Sequence, residues 1–411
     1  MATIKAFKGF RPPQNLAAQV ASRPYDVLNR AEAKAESNPN SFLRVIRAEI
    51  DLPDSLSAYD DQVYAQAKTN FDQFVTDEVL VQDEQDCLYV YAQTMNGRRQ
   101  IGLVCGVSTA DYWNDVVKKH EYTRPKKEKD RITHIKTMRV QTGPVLNAYP
   151  QVPEIDAIID QVVAQTATYD FTLDDGVRHE FWVVSDADTI DQLIGLFAEK
   201  VPAIYIADGH HRAASSSKVA RMFAEANPEH AGGEDYNYFL NVVFPDNQLD
   251  IIDYNRVVTD LGDLTSEQFL AKIAENFDIE PAEDLYKPAQ PYEYSLYLDG
   301  KWHKFTAKSH LLNPDHPIQG LDIDVLSRHV LEGILGIKDQ RTDERIDFVG
   351  GIRGIGELKK RVDSGDMRLA IAIHPVTIAQ LIRVADSGEV MPPKSTWFEP
   401  KLRSGLVCYQ F

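Results

Sequence analysis

Five consecutive residues, Asp208-Gly209-His210-His211-Arg212, put an acid, two imidazoles and a guanidinium on one short segment. Arg212 can clamp phosphate oxygens in a bidentate fork, and Gly209 lets a ligand approach the backbone closely. His210 and His211 can donate hydrogen bonds or shuttle protons near neutral pH. Asp208 can bind a magnesium ion or accept a hydroxyl proton. Two histidines also suggest zinc, but adjacent side chains diverge and no third ligand stands nearby in the sequence. A capping acid followed by a polar turn is the plain structural alternative. Four functional side chains at one junction favour phosphate or substrate chemistry.

Two other segments carry chemistry. Lys119-His120-Glu121-Tyr122-Thr123-Arg124, with Glu128-Lys129-Asp130-Arg131, reads on its own as a solvated, salt-bridged face. In a functional reading His120, Glu121, Thr123 and Arg131 form a polar shell on a nucleotide or substrate. The second segment runs from Met391 to Lys401. Its Lys394-Ser395-Thr396 resembles the end of a P-loop, but the glycines before it and the helix after it are missing, so it is not a Walker A element. Its prolines stiffen an extended tail that can carry those three residues into a pocket. Gly350-Gly351-Ile352-Arg353-Gly354-Ile355-Gly356 lies between a strand and a helix, but its spacing is not the dinucleotide fingerprint. Neither a Gly-x-Ser-x-Gly elbow nor a zincin helix occurs, so serine-hydrolase and metalloprotease chemistry have no support.

The elements that position these residues follow from periodicity. Ile204 to Ala207 is a buried-strand run, and Val219, Met222, Phe223 and Ala226 mark a helix after the turn. A strand-to-helix junction aims free N–H groups and a positive dipole end outward, which suits an anion. Upstream, Ile190, Leu193, Ile194 and Phe197 share a helix face with Asp188 as expected cap. Leu88–Gln93 and Ile101–Val107 flank Asn96-Gly97 as a hairpin. Val63, Ala67, Phe71 and Phe74 line a helix, and Leu43 to Ile46 is expected as a strand. Residues 116–131 are expected in an exposed loop or helix end. From about residue 247 a second alternation begins. Its expected strands are Ile251–Val258, Ile346–Val349 and Leu369–Ile373, with a hairpin about Asp299-Gly300. Its expected helices are Ser266–Glu275 and stretches near 322–335, 355–364 and 375–387.

The expected class is mixed α/β (α+β). Residues 1–246 form a catalytic core with N-terminal elaborations, 247–390 a smaller α/β sandwich domain, and 391–411 a tail returning to the active site. At 411 residues with 43% hydrophobic and 26% charged content, the composition is that of a globular protein with a sizeable core. The net charge of −18 disfavours nucleic acid and anionic membranes as partners. The three scattered cysteines form neither a disulfide framework nor a zinc knuckle, which makes a reducing cytoplasm the default setting.

Four segments in order resemble one bacterial and archaeal family, catalogued as domain of unknown function 1015. They are Arg23-Pro24-Tyr25-Asp26-Val27, His120-Glu121-x-Thr123 with Asp130-Arg131, Ala207 to Arg212, and Met391 to Lys401 closing in Ser404-Gly405-Leu406. Gly209-His210-His211-Arg212, followed by Ala213-Ala214, is also similar to the nucleotide-cradling turn of the ParB and sulfiredoxin superfamily. Within it, the free-serine kinases look most alike, whereas sulfiredoxin's cysteine before the histidine is absent. The resemblance implies a ParB/sulfiredoxin-like nucleotide-binding core and phosphoryl transfer between ATP or ADP and the hydroxyl of free serine, with O-phosphoserine as the partner metabolite and Mg2+ as cofactor. Asp208, His210, His211 and Glu121 would be catalytic, with Asp208 also holding the metal. Gly209, Arg212, His120, Thr123, Lys394, Ser395 and Thr396 would bind phosphate or nucleotide, and Asp26 and Arg131 the substrate. A homodimer is compatible with this reading. The competing functions are a nucleotide-binding regulator without turnover and a metal-dependent phosphohydrolase.

Overall fold

The apolar run before the Asp208 turn becomes the strand Ile204–Asp208, and its sheet neighbours decide where the turn is presented. In the computed structural model, which describes residues 1–411, this strand pairs in parallel with Val117–Lys118 and antiparallel with Val145–Tyr149. The nine-stranded sheet continues through Tyr238–Pro245, Arg98–Ser108, Leu88–Met95, Arg178–Val184 and Tyr169–Thr172, while Ile4–Lys5 pairs with Arg98–Ser108. The register shifts between Ile206 and Asp208, a bulge that re-aims the strand end just before Gly209. The mixed α/β class expected from the sequence is the class observed.

The chain divides into two compact units. One comprises residues 1–118, 122–249 and 400–411; the other comprises 119–121 and 250–399.

In the first unit the expected hairpin forms. Met95 pairs with Arg98, and Asn96 and Gly97 both take positive φ, +52° and +80°, as a primed two-residue turn requires. The helices Pro153–Val163 and Ala187–Lys200 bury Ile155, Ile159, Leu193 and Phe197 against Val90, Leu103, Val145 and Ile206 of the sheet. The cap of the second helix is Asp186, whose carboxylate accepts from Thr189 N–H, and Asp188 lies in the first turn instead.

Leu43–Ile46 is a helical turn, not a strand. It has no pairing partner, and Leu43, Val45 and Ile46 are buried in a core with Phe42, Val63, Ala67 and Phe71. Burial among side chains overrides the β preference of so short an apolar run. The helix His210–Ala226 corrects its expected face too. Met222 is exposed and Ala226 lies at the surface, while Ala213, Ala214, Ser215, Ser216, Ser217 and Ala220 are buried. These small side chains let it pack against the helix Pro125–Met138. That second helix begins on a proline, at the position where a missing N–H is harmless. The 116–131 segment is an exposed loop and helix start only in part: Tyr122, Arg124 and Lys126 are exposed, whereas His120, Asp130 and Arg131 are buried, the last two as an ion pair.

The second unit holds a six-stranded sheet in the order Phe277–Pro281, Lys301–Ala307, Glu293–Leu298, Leu369–Ile373, Tyr254–Val258 and Ile346–Gly350. The single strand expected over Ile251–Val258 is interrupted at Asp253. Ile251–Ile252 pairs with Trp397–Phe398, and only Tyr254–Val258 enters the sheet. The helix expected near 322–335 is Asp322–Leu326 followed by a wider π turn, Ser327–Glu332. No helix of the chain is long and apolar enough to cross a membrane.

Candidate functional site

Gly209 has φ +103°, a conformation that needs glycine, and serves as N-cap of the His210–Ala226 helix without any side-chain cap. The helix's leading N–H groups are thus not covered by a capping side chain. A Cβ at Gly209 would lie 3.0 to 3.1 Å from the Arg212 guanidinium, so the arginine folds back over the turn. Arg212 donates from Nη1 to the Pro144 carbonyl, which fixes the direction of its fork.

Asp208 Oδ2 accepts from Lys401 Nζ at 3.2 Å. Burial alone would raise the Asp208 pKa; Lys401, Arg212 and His210 outweigh it and hold the carboxyl well below the usual carboxylate range. Its side chain is still 35% exposed, so the anion is crowded yet reachable. A carboxylate held this firmly ionised is a weak base and a good fixed anion. His210 is buried beside it. The Nε2 of His211 accepts from the Arg124 N–H at 2.9 Å, which places the proton of a neutral ring on Nδ1. No three His, Cys, Asp or Glu side chains gather into a chelating group, so the paired histidines lack the donor set of a zinc site.

Arg131 sits in the helix Pro125–Met138, beside Asp130. Its Nε and Nη2 donate to Asp130 Oδ2 at 3.0 and 2.9 Å, and Tyr64 donates to the other carboxylate oxygen at 2.9 Å. The Arg131 guanidinium stacks on the Tyr25 ring, 3.9 Å from its centroid. Burial would lower the arginine's pKa; Asp130, then Tyr25 and Asp26, reverse that and raise it. Burial pushes the Tyr25 phenol up, so it stays protonated as a donor.

Two cavities meet at this stack. The smaller, about 30 Å3, is lined by Arg131, Arg212, Gln141, Thr142, Ser216 and Ser404 among others, room for a group of about one or two waters' size. Gly143 keeps its wall open, since a Cβ there would fall 3.0 Å from Ser404 Oγ. The larger, about 330 Å3, is lined by Asp26, Glu49, Tyr59, Tyr64, Asp130 and Arg131 among others. Tyr25, Ile46, Arg131 and His134 border both. His134 is held neutral: burial, then Arg131, lowers its pKa to about 3.

The first unit thus gathers the 208–212 turn with Lys401, and sets Asp26 and Arg131 on one cavity. Thr123 donates to Glu128 at 2.8 Å, and Glu128 also accepts from Lys218, so the threonine closes a structural network next to the backbone that holds His211. In the second unit, His120 and the tail segment come together. Met391 N–H donates to the His120 carbonyl at 2.9 Å, and His120 Nε2 lies 3.4 Å from Thr396 Oγ1. Ser395 Oγ donates to the Pro392 carbonyl at 2.6 Å, and the Lys394 ammonium lies 5.6 Å from the Tyr254 ring centroid. Glu121 belongs to this unit and is half-buried. Sequence reasoning gave no role to Lys401, Tyr25, Asp130 or Ser404, although all four lie inside the recognised segments; their signal was position within a motif rather than residue type.

Residues 4–324 match the family described as Protein of unknown function (DUF1015). No curated protein matches the chain. Among solved structures, a free serine kinase in complex with AMP is similar at 13% identity and a TM-score of 0.35, covering 74% of this chain and 92% of that one. A conserved hypothetical protein from Pyrococcus furiosus is similar at 14% identity and TM-score 0.34, covering 74% and 95%. SbnI from Staphylococcus aureus, with a C-terminal truncation, is similar at 10% identity and TM-score 0.37, covering 74% and 87%. At these scores the likeness carries no functional assignment.

Proposed function

We propose that this chain, which belongs to the DUF1015 family, is a small-molecule phosphotransferase. It moves a phosphoryl group between a nucleotide, ATP or ADP, and the hydroxyl of free L-serine, forming or consuming O-phosphoserine. One observation carries the reading: Arg131 and Arg212 line the same small cavity, and Arg131 also borders the larger cavity lined by Asp26.

Phosphoryl transfer depends mostly on alignment and charge neutralisation. The Arg212 guanidinium supplies donors for phosphoryl oxygens, and Arg131, whose Nε and Nη2 are taken by Asp130, adds positive charge at the cavity wall. The Thr142, Ser216 and Ser404 hydroxyls add further donors, and the uncapped start of the His210–Ala226 helix adds partial positive charge. His210 and His211 steady the transferring group. Beyond the Arg131–Tyr25 stack, Asp26 suits a substrate ammonium and Arg131 a substrate carboxylate, the two charges of a free amino acid. In the second unit, His120, Lys394, Ser395 and Thr396 are assigned to nucleotide phosphates.

Asp208 acts as a fixed anion rather than as the proton acceptor, because Lys401 keeps it ionised, and the proton of the attacking hydroxyl is assigned to Glu121. Magnesium is commonly held by one or two carboxylates plus substrate phosphates. Asp208 supplies one carboxylate, a donor set that fits an ion arriving with the nucleotide. Such an ion would neutralise phosphate charge.

Incubating the full chain with Mg2+, L-serine and either ATP or ADP tests the reading, with phosphoserine as the expected product. Absence of product with both nucleotides, together with no reverse reaction from phosphoserine, refutes it.

A further inference from the structure

Arg256 stands in the strand Tyr254–Val258 of the second unit, 0% exposed, and no carboxylate pairs with it. Its Nη1 donates to the carbonyls of Tyr254 and, at 2.9 Å, Lys394; its Nη2 donates to the Pro393 carbonyl at 2.9 Å. The guanidinium lies 5.0 Å from the Phe348 ring centroid, and Nε has no hydrogen-bond partner. Burial lowers its pKa to about 9. A buried cation without a counter-ion is costly, and an apolar side chain would fill this sheet position without that cost. What arginine adds is a rigid fork that grips two successive carbonyls.

The gripped segment is the Pro392–Thr396 turn. Lys394 there has φ +58°, left-handed for a residue with a long side chain, and Ser395 closes the turn onto Pro392. The Lys394 ammonium faces an aromatic ring and makes no ion pair. Two cations, Lys394 within the turn and Arg256 gripping it from the strand, therefore meet at a segment that contains no acid.

We propose that Arg256 is the positioning residue of an anion subsite on the Pro392–Thr396 turn, one that takes the phosphates of a nucleoside diphosphate through Lys394. By holding the Pro393 and Lys394 carbonyls, Arg256 keeps Lys394 in its left-handed conformation and fixes where its ammonium points. The inference deepens the proposed function and rests on Lys394 binding phosphate.

The test is a double-mutant cycle on the full chain, titrated with ADP in a calorimeter while far-UV circular dichroism monitors folding. Lys394→Ala is expected to weaken ADP binding about tenfold, and Arg256→Gln by a similar factor. The double variant is expected to bind no more weakly than either single one, because Arg256 acts through Lys394. Multiplying losses in the double variant, or unchanged affinity in a folded Arg256→Gln, overturns the inference while leaving the phosphate role of Lys394 standing. Unchanged affinity in Lys394→Ala overturns that role as well. Should Arg256→Gln fail to fold, Arg256→Lys carries the same cycle, since it keeps the charge but cannot fork between two carbonyls.

Discussion

In the first unit Arg131 lies 2.9 Å from Asp130 and Lys401 lies 3.2 Å from Asp208, whereas in the second unit Arg256 is held by backbone carbonyls alone. The first unit pairs these cations with acids and sets two of its arginines, Arg131 and Arg212, on one small cavity. The second buries a cation to shape a turn. One acid from each unit differs in the same way. Asp208 is held well below its ordinary range by its cationic neighbours, while burial pushes Asp322 up to about 7 despite the Tyr292 N–H that it accepts. Under the proposed function, paired charge at a cavity meets a ligand that brings charge of its own. Unpaired charge in a sheet is arranged for geometry.

The largest effect is expected from splitting a buried pair. Arg131→Met leaves Asp130 buried without its partner and should cost about 3–5 kcal/mol in chemical denaturation. Adding Asp130→Asn should recover part of the loss, and no recovery would mean that the two charges do not compensate each other. Next comes Arg212→Ala, expected to lower the phosphoryl-transfer rate about 10²–10³-fold with the fold retained. A smaller loss would move the phosphate elsewhere.

His134 and His179 in the first unit and Asp322 in the second should contribute pH dependences of stability of opposite sign. His134 and His179 are both lowered to about 3, in each case by burial first and arginine charge second. Between about pH 6.5 and 3 the unfolded state binds protons that the native first unit refuses, so that unit loses stability as pH falls. The slope approaches about 1.4 kcal/mol per pH unit for each histidine. Asp322 reverses the sign. Its native pKa of about 7 lies above the unfolded value of 3.8, so the native second unit holds the extra proton and loses stability as pH rises between those values. Hydrogen exchange in Leu88–Met95 and in Leu369–Ile373, corrected for intrinsic rates, reads the two units separately. The smallest change is that Asp322→Asn should flatten the second unit's dependence without touching the first.

Much of this frame was legible where the signal is local. The Asn96-Gly97 hairpin and the strand–glycine–helix junction at 204–212 are written in consecutive residues whose backbone angles admit few alternatives. Leu43–Ile46 was not legible, because a four-residue stretch with three apolar side chains looks the same in a buried helical turn as in a strand. The site's partnerships were least legible. Lys401 and Asp208 are 193 positions apart, and no periodicity joins them. Asp130 and Arg131 look like surface charge in a lysine-rich run, and only tertiary packing against Tyr25 and Tyr64 buries them. Arg256 carried no signal, since a lone arginine in a strand resembles an ordinary outward-facing residue.

The central claim is that Arg131 and Arg212 seat a phosphate beside the Gly209 turn, and hydrogen exchange of the full chain with and without inorganic pyrophosphate tests it most directly. Slowed exchange at Gly143 and at Gly209 through Ala213, lost in Arg212→Ala, is the predicted result. Saturating pyrophosphate that leaves both segments unprotected, or that protects them equally in Arg212→Ala, would contradict it.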